Sequence, residues 1–428
     1  MQLVRAPKAC VKLWDIPSSQ DLRRARVCTA EWPTFGRARD ARLHSTPPST
    51  SLLELKSTFR LELSIEMAAV DKLTPSDSRV QHRTYTVPAS NHTYHYLFAE
   101  PPARTTVTGT ALLIHGFPDL ALGWRYPLVS LGLRVIVPDM LGYGGTDAPE
   151  KLEEYSYKSV TNDLVALVRH VLREAGHKDP ESEKIILGGH DWGGMVAWRF
   201  ALWHPSVLRC VFSVCTPYFA PISQPITLEV LTSIHSNFRY QLQFRSGECE
   251  ARVGRDPARV RAFLGALYGG RALMEDLKTI DEGRKGLFDP EVGIPLDLVE
   301  QCRVGPSPLL SKEEMDYYVE QFATGKGGIK GACNWYRMTE INNKEEMELA
   351  QAGRVNIRTP ALMVVARKDV ALKPELAGKM KDFIENLKMV EVDASHWALW
   401  ERPAEVNAHL TEWLRGILDR EGRLRPSI

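Results

Sequence analysis

The chain has 428 residues, and its 54 Lys and Arg side chains nearly balance its 53 Asp and Glu side chains, which leaves a net charge of +1. This balance excludes a strong overall attraction to nucleic acid or to an anionic membrane surface. Hydrophobic residues make up 44% and charged residues 25%, values typical of globular proteins. No uninterrupted apolar run approaches the roughly 18 residues of a membrane span. We therefore expect a globular protein that neither binds nucleic acid nor crosses a membrane.

The seven cysteines are scattered along the chain and include no C-x-x-C pair. An odd number of cysteines without a pairing pattern argues against a disulfide framework and against a zinc site. Cys210 and Cys215 flank the apolar segment V-F-S-V, where a thiol mostly behaves as a small hydrophobic side chain. This usage indicates a reducing compartment, so we expect a cytoplasmic protein.

Residues 1–66 differ in composition from the rest of the chain, being rich in Arg, Ser, Thr and Pro without sustained periodicity. Three interpretations compete: a disordered tail, an organelle transit peptide, or upstream sequence ahead of a start at Met67. The segment carries eleven basic residues but also seven acidic ones, whereas transit peptides contain few acids. We therefore predict a poorly ordered extension without a catalytic role.

From about Gln81 the sequence becomes regular, and strand-like runs alternate with helical runs. Apolar alternation and short apolar runs predict strands at 83–87, 93–99, 111–115, 133–139, 184–190 and 208–215. Helical spacing of apolar residues predicts helices at 157–174 and from Met195 to a stop at Pro205. Such alternation indicates a mainly parallel α/β sheet that is covered by helices on both faces.

The strand pattern stops after Pro217 and resumes much later. Residues from about 218 to 345 look largely helical, whereas 361–366 and 387–392 again resemble strands and 404–416 a helix. The simplest architecture is one α/β domain with a helical insertion. We therefore predict a core formed by residues 67–217 and 346–428, with residues 218–345 as a helical cap.

The segment G-H-D-W-G-G at 189–194 lies between a predicted strand and a predicted helix. Small residues on both sides of a central side chain, in this context, are what a nucleophile elbow requires. The turn would expose Asp191 above the sheet. A simpler interpretation is a connecting loop in which Asp191 caps the helix, because Asp is a favoured N-cap residue.

Two further residues favour a catalytic role for Asp191. Asp369 lies just past the strand at 361–366, and His396 lies in a loop after the last strand. The order nucleophile, acid, histidine is that of the α/β hydrolases. Asp369 would fix the tautomer of His396, whose other ring nitrogen would serve as the general base. Each residue alone could be an ordinary loop residue, but three at strand ends in this order favour a catalytic set.

The segment H-G-F-P-D at 115–119 follows the strand at 111–115. In this fold that loop supplies one oxyanion-hole donor and the residue after the nucleophile supplies the other. The donors here would be the backbone N–H groups of Phe117 and Trp192. A carboxylate nucleophile would form an ester with an electrophilic carbon, and a His–Asp pair could activate water to hydrolyse it. The substrate would then be an epoxide or an alkyl halide.

Residues from about 81 to 420 resemble the α/β-hydrolase-fold epoxide hydrolases of the soluble type. The motifs that carry the resemblance are H-G-F-P (115–118), G-Y-G-G-T (142–146), G-H-D-W-G-G (189–194), F-R-Y-Q-L-Q-F (238–244), D-Y-Y-V-E-Q-F (316–322) and N-W-Y-R (334–337). The resemblance implies an α/β-hydrolase fold, with a mostly parallel eight-stranded sheet and a helical cap inserted between strands. It also implies two cap tyrosines that hold and protonate the epoxide oxygen.

These two tyrosines match Tyr240 and Tyr318. Tyr317 is the alternative to Tyr318, because one helical step of about 100° changes the face on which a side chain lies. Tyr336 is interpreted as a packing residue. Trp335 and Trp397 are candidate walls of an apolar substrate pocket, although buried aromatic residues more often belong to the core.

The implied reaction converts a hydrophobic epoxide and water to a vicinal diol, and it needs no metal and no organic cofactor. Haloalkane dehalogenases are the nearest alternative, since they share the Asp–His–Asp set and a Trp after the nucleophile. Their usual Asn after H-G is replaced here by Phe117, which favours the epoxide. A catalytically inactive binding protein is the third alternative, but no member of the catalytic set is missing.

Overall fold

The structure is a computed structural model that describes residues 71–126, 131–273 and 286–424. The predicted extension at 1–66 lies outside the described residues. Among the described residues, no helix combines the length and the apolar character that crossing a bilayer requires.

Eight strands form one sheet in the order β1-β2-β4-β3-β5-β6-β7-β8. β2 pairs antiparallel with both β1 and β4, and all other neighbours are parallel. The strands are Gln81–Thr86 (β1), Thr93–Ala99 (β2), Gly109–Ile114 (β3), Leu133–Pro138 (β4), Ile185–His190 (β5), Leu208–Val214 (β6), Ala361–Ala366 (β7) and Leu387–Val392 (β8). The predicted α/β-hydrolase fold with a mostly parallel eight-stranded sheet is confirmed.

The central strands β3 to β7 are buried at every residue. They therefore read in the sequence as continuous apolar runs, as parallel strands do when both sheet faces are covered. The edge strand β1 instead alternates between exposed and half-buried residues. Every end of the predicted strands lies within two residues of the observed end. The prediction therefore located the carboxyl ends of the strands that the candidate triad residues follow.

Three helices of the α/β part flank the sheet: Tyr157–Glu174 (α1), Trp192–Trp203 (α2) and, at the end of the chain, Pro403–Arg420 (α12). The side chain of Ser156 caps α1 by accepting a hydrogen bond from the backbone N–H of Ser159. α2 begins three residues before its predicted start, directly after Asp191. The turn between β5 and α2 is therefore very tight.

Eight helices lie between β6 and β7 in the described part of the chain. They are Leu228–Ile234 (α3), Tyr240–Arg245 (α4), Glu248–Val253 (α5), Pro257–Leu267 (α6), Leu296–Glu300 (α7), Lys312–Thr324 (α8), Gly328–Cys333 (α9) and Thr339–Gln351 (α10). The short helix Ala398–Glu401 (α11) follows β8. α10 continues six residues beyond the predicted cap boundary at 345.

Candidate active site

Asp191 occupies the turn between β5 and α2 with φ 53° and ψ −125°. Residues other than glycine rarely adopt positive φ, and such a conformation costs roughly 1–3 kcal/mol. The turn has no room for side chains on either side. A Cβ on Gly193 would lie 2.1 Å from the carbonyl oxygen of Ile114, and one on Gly189 would lie 2.1 Å from that of Gly193. The glycines of the motif are therefore required by close backbone packing.

The Asp191 side chain does not cap α2, although the residue stands at the N-cap position. Its Oδ1 instead accepts a hydrogen bond of 2.6 Å from the backbone N–H of Phe117. Its Oδ2 lies 3.5 Å from Nε2 of His396. Burial favours the neutral acid, but the hydrogen bond and charge of His396 outweigh burial and hold the pKa of Asp191 below its ordinary value. The side chain is thus an ionised carboxylate aimed away from the helix.

His396 links Asp191 to Asp369. Nδ1 of His396 lies 2.8 Å from Oδ2 of Asp369, while Oδ1 of Asp369 accepts hydrogen bonds from the backbone N–H groups of Ala371 and Leu372 at 2.9 and 2.8 Å. Asp369 is fully buried. Burial of His396 opposes its positive charge, but the two carboxylates outweigh burial and raise the pKa of His396 to about 10. The structure thus brings the three predicted triad residues together.

Sheet pairing positions the candidate oxyanion loop. β3 runs parallel to β5 with Ile114 opposite Gly189, so the loop that follows β3 begins beside the Asp191 turn. Nε2 of His115 accepts a hydrogen bond of 3.0 Å from the backbone N–H of Met140, which anchors the loop to the end of β4. The loop thereby brings the backbone N–H of Phe117 to Oδ1 of Asp191. Trp192, the second predicted donor, is the first residue of α2.

Two cap tyrosines lie over this site. Tyr240 begins α4, and Tyr336 lies in the short 3₁₀ turn Asn334–Arg337; their ring centres are 6.0 Å apart. The ring centre of Tyr336 is 4.9 Å from that of Phe117, whose N–H donates to Asp191. It is 5.3 Å from the ring centre of Trp192, which follows Asp191 in the chain. Burial, reinforced by the charge of Asp191, raises the pKa of both phenols. Both tyrosines are therefore neutral hydrogen-bond donors.

Tyr318 does not lie with Tyr240, contrary to the prediction. Its hydroxyl donates a hydrogen bond of 2.5 Å to Oδ1 of Asp119, and its ring packs against Tyr268 and Trp400 at 5.9 and 6.2 Å. The reason is the orientation of α8, which turns Tyr318 toward the loop after β3. The neighbouring Tyr317 packs edge-on against the Tyr318 ring at 6.2 Å. The tyrosine that joins Tyr240 is Tyr336, whose signal was the motif N-W-Y-R.

Asp119, the partner of Tyr318, is a buried carboxyl that the sequence did not single out. Burial raises its pKa to about 7, against the hydrogen bonds from Tyr318 and from the backbone N–H of Leu120. Its Oδ2 is buried without a hydrogen-bond partner among the described residues. Because Tyr318 belongs to α8 and Asp119 to the loop after β3, their hydrogen bond joins the cap to the loop that carries Phe117.

The two predicted pocket tryptophans are buried, and each is held by a backbone hydrogen bond. The indole N–H of Trp335 donates to the carbonyl oxygen of Leu141, and that of Trp397 donates to the carbonyl oxygen of Leu267, both at 3.0 Å. The Trp335 ring lies 6.5 Å from that of Trp192, and the Trp397 ring 5.3 Å from that of His396. Both rings border the site, and their role as pocket walls stays a prediction.

One group of possible metal ligands lies beside the site within the described ranges: His190, Cys215 and His396, with ligand atoms within 4.8 Å of one another. Nε2 of His190 and Sγ of Cys215 already contact the carbonyl oxygen of His396, at 2.8 and 3.2 Å. Burial raises the pKa of the Cys215 thiol, which keeps it protonated. Thiolate is the form of cysteine that binds metals. We therefore interpret His190 and Cys215 as residues that hold the His396 loop in place, and not as metal ligands.

Comparison with protein families gives a match to the α/β hydrolase fold over residues 111–403. The chain is 42% identical over 357 residues to epoxide hydrolase srdG of Neurospora crassa, a match that covers 81% of this chain and 99% of that protein. It is 32% identical over 316 residues to epoxide hydrolase A of Mycobacterium tuberculosis, covering 72% and 90%. With bifunctional epoxide hydrolase 2 of Rattus norvegicus it is 35% identical over 308 residues, which is 71% of this chain but only 51% of that protein.

Solved structures of epoxide hydrolases are also similar to this chain. The crystal structure of epoxide hydrolase A from Mycobacterium thermoresistibile matches with a TM-score of 0.61 and 29% identity, over 79% of this chain and 98% of that chain. The potato epoxide hydrolase I matches with a TM-score of 0.60 and 24% identity, over 79% and 99%, which supports the fold alone. The predicted resemblance is confirmed, and the comparisons favour it over a haloalkane dehalogenase or an inactive binding protein. The chain belongs to the α/β-hydrolase fold family and, within it, to the epoxide hydrolases.

Proposed function

We propose that this epoxide hydrolase converts a hydrophobic epoxide to a vicinal diol through a covalent ester on Asp191. The observation that carries the proposal is the double contact of the Asp191 carboxylate. One oxygen accepts from the N–H of Phe117, and the other faces His396, which is held by Asp369. A carboxylate held between an oxyanion donor and a histidine suits a nucleophile that must later be released by water.

In the first step, Asp191 attacks an epoxide carbon and the ring C–O bond breaks. The lowered pKa of Asp191 keeps it ionised. The departing oxygen becomes a strongly basic alkoxide, which the hydroxyls of Tyr240 and Tyr336 hydrogen-bond and one of them protonates. In this proposal Tyr336 takes the place first predicted for Tyr318, because Tyr336 packs against Tyr240 and Phe117.

In the second step, His396 activates water. Ester formation removes the negative charge of Asp191, which is one of the groups that raise the pKa of His396. The pKa of His396 should then fall, so that Nε2 gives its proton to the tyrosinate left by the first step. The neutral ring can then accept a proton from water while Asp369 holds Nδ1. The water attacks the ester carbonyl carbon, and the N–H groups of Phe117 and Trp192 stabilise the oxyanion. Collapse of this intermediate breaks the ester C–O bond, and the leaving alkoxide takes the proton of the added hydroxyl. This releases the diol and restores the Asp191 carboxylate, with His396 again protonated.

Residues 67–217 and 346–428 would form the core and residues 218–345 the cap, which contributes both tyrosines. The aromatic surroundings of Asp191, with Trp335 and Trp397 as walls, support a hydrophobic substrate. Five described cysteines are free and four of them are buried, which supports the cytoplasm as the compartment.

A trapping experiment tests the proposed function. His396→Gln should form the Asp191 ester with an aryl epoxide but hydrolyse it slowly, so mass spectrometry should detect the adduct on the peptide that contains Asp191. Asp191→Asn is the control and should show no adduct, while a bromoalkane offered in parallel should give none with either variant. Rapid diol formation by Asp191→Asn, or an adduct from the bromoalkane alone, would contradict the proposal.

A further inference from the structure

The guanidinium of Arg337 joins three segments of the helical region between β6 and β7. Nη1 donates a hydrogen bond of 2.7 Å to Oδ1 of Asn334, and Nε donates one of 3.1 Å to the carbonyl oxygen of Arg245. Nη2 donates to Oε1 of Glu250 at 2.5 Å. The Arg337 and Glu250 side chains are only 16% and 21% exposed, so solvent screens this ion pair weakly. All three nitrogens of the guanidinium are therefore engaged within the cap.

Two of the three segments joined by Arg337 carry the two site tyrosines. Arg245 ends α4, whose first residue is Tyr240, and Asn334 begins the 3₁₀ turn that contains Tyr336. α4 has six residues and the turn has four. Elements of this length do not hold a fixed geometry by their own hydrogen bonds, so tertiary contacts must orient them.

We propose that Arg337 is a positioning residue for the ring-opening step, and that it acts by fixing the relative placement of the Tyr240 and Tyr336 hydroxyls. The inference rests on the proposed function and adds a residue to it. The hydrogen bond to the Arg245 carbonyl fixes the C-terminal end of α4, where free carbonyl groups need partners. The hydrogen bond to Asn334 holds the start of the turn that contains Tyr336. Both ends are therefore held by the one guanidinium plane of Arg337.

Lysine could not replace this arrangement. A guanidinium offers five N–H donors in a rigid plane, whereas an ammonium group is a compact charge on a flexible stem. Arg337→Lys would keep a positive charge near Glu250 but would lose the simultaneous hydrogen bonds to Asn334 and Arg245. The variant therefore separates positioning from net charge.

The two chemical steps should respond differently to this change. Ring opening needs both tyrosine hydroxyls at the epoxide oxygen. Hydrolysis of the ester depends on His396, Asp369 and the N–H groups of Phe117 and Trp192, which all belong to loops at the ends of sheet strands or to α2. A loss of tyrosine placement should slow ester formation alone, whereas a general weakening of the fold would affect both steps.

The test is a single turnover of an aryl epoxide by excess enzyme, stopped by rapid quench, with ester and diol measured at each time. For Arg337→Lys we expect ester formation to slow by roughly 10- to 100-fold, the scale of a misplacement near 1 Å. Ester decay should stay within about twofold of the wild type. All assays run well below the measured melting temperature of each variant.

Arg255→Lys is the matched control. Arg255 is also an arginine of the helical region with three hydrogen bonds, which it donates to the carbonyl oxygens of Ala323, Gly325 and Lys326. It contacts neither tyrosine-bearing segment through these bonds. Both rate constants of Arg255→Lys should therefore match those of the wild type within about twofold.

Asn334→Ala keeps the test decisive if Arg337→Lys does not fold, because it removes the acceptor in the tyrosine turn and leaves Arg337 in place. It should also slow ester formation selectively. Unchanged ester formation, or equal slowing of both steps in the folded variants, would overturn the inference alone. Failure of the wild type to form an Asp191 ester would overturn the proposed function and the inference together.

Discussion

Exchanging Tyr336 and Tyr318 for Phe, one at a time, compares the tyrosine that packs beside Tyr240 with the tyrosine that the sequence predicted as its partner. Tyr336→Phe removes a hydroxyl from the ring that packs against Tyr240 and Phe117 above Asp191. Loss of one preorganised donor to a developing oxyanion costs roughly 10²- to 10³-fold in rate, or about 3–4 kcal/mol. We therefore expect ester formation to slow by about that factor, with little change in the free energy of unfolding.

Tyr318→Phe should have the opposite profile. The lost hydroxyl donates to Oδ1 of Asp119, which would keep only the backbone N–H of Leu120 at 2.7 Å. A hydrogen bond to a buried charged group contributes about 1.5–3 kcal/mol. We expect the free energy of unfolding to fall by about that amount at pH 8, where Asp119 is ionised, while ester formation stays within about threefold of the wild type.

Two assays decide between these profiles: rapid-quench single turnovers for the rate of ester formation, and urea unfolding for stability. Tyr317→Phe serves as a control, because Tyr317 neighbours Tyr318 on the same helix. If Tyr318→Phe slowed ester formation a hundredfold while Tyr336→Phe left it unchanged, the reasoning from ring positions would be refuted. The motif-based assignment of Tyr318 would then be right.

Three further predictions follow from buried groups of the site. The pKa of Asp119 rises from 3.8 to about 7 on folding, so its ionisation weakens the folded state by about 4 kcal/mol as pH rises through this range. Urea unfolding should show Asp119→Asn gaining stability relative to the wild type between pH 5 and 8, and parallel pH profiles would contradict this. Gly193→Ala places a Cβ 2.1 Å from the carbonyl oxygen of Ile114, so we expect a much lower melting temperature and lost diol formation, and a fully active, stable variant would argue against the tight turn. Because the pKa of Asp191 is lowered, its carboxylate stays ionised in weak acid, so kcat/KM of Asp119→Asn, in which Asp119 cannot titrate, should stay flat from pH 5 to 8. An acid limb above pH 5 in this variant would exclude Asp191 as the ionised nucleophile.

The sequence predicted the core of the fold and the placement of the triad because local patterns encode both. Fully buried parallel strands appear as apolar runs, and the ends of such strands meet at one edge of the sheet. Asp191 and Asp369 follow β5 and β7 closely, and His396 follows β8, so locating the strands also located these side chains. The glycines beside Asp191 added a local steric signal that needs no knowledge of distant contacts.

The cap tyrosines could not be predicted in the same way. Helical spacing defines the faces of α8 but not which face meets the core, and the contact that fixes Tyr318 joins residues 199 positions apart in the chain. Tyr336 lies in a four-residue 3₁₀ turn, which is too short for a periodic pattern. Its place beside Tyr240 depends on packing between separate segments of the cap, which only the three-dimensional structure contains.

The most direct test of the ester mechanism is one turnover of an aryl epoxide by excess enzyme in oxygen-18 water, followed by mass spectrometry of the peptide that contains Asp191. Water attack at the ester carbonyl leaves the new oxygen on the enzyme, while the diol receives an oxygen from Asp191. We therefore expect label in the Asp191 peptide and unlabelled diol after this first turnover. Labelled diol with an unlabelled peptide would show direct attack of water on the epoxide and would contradict the covalent ester.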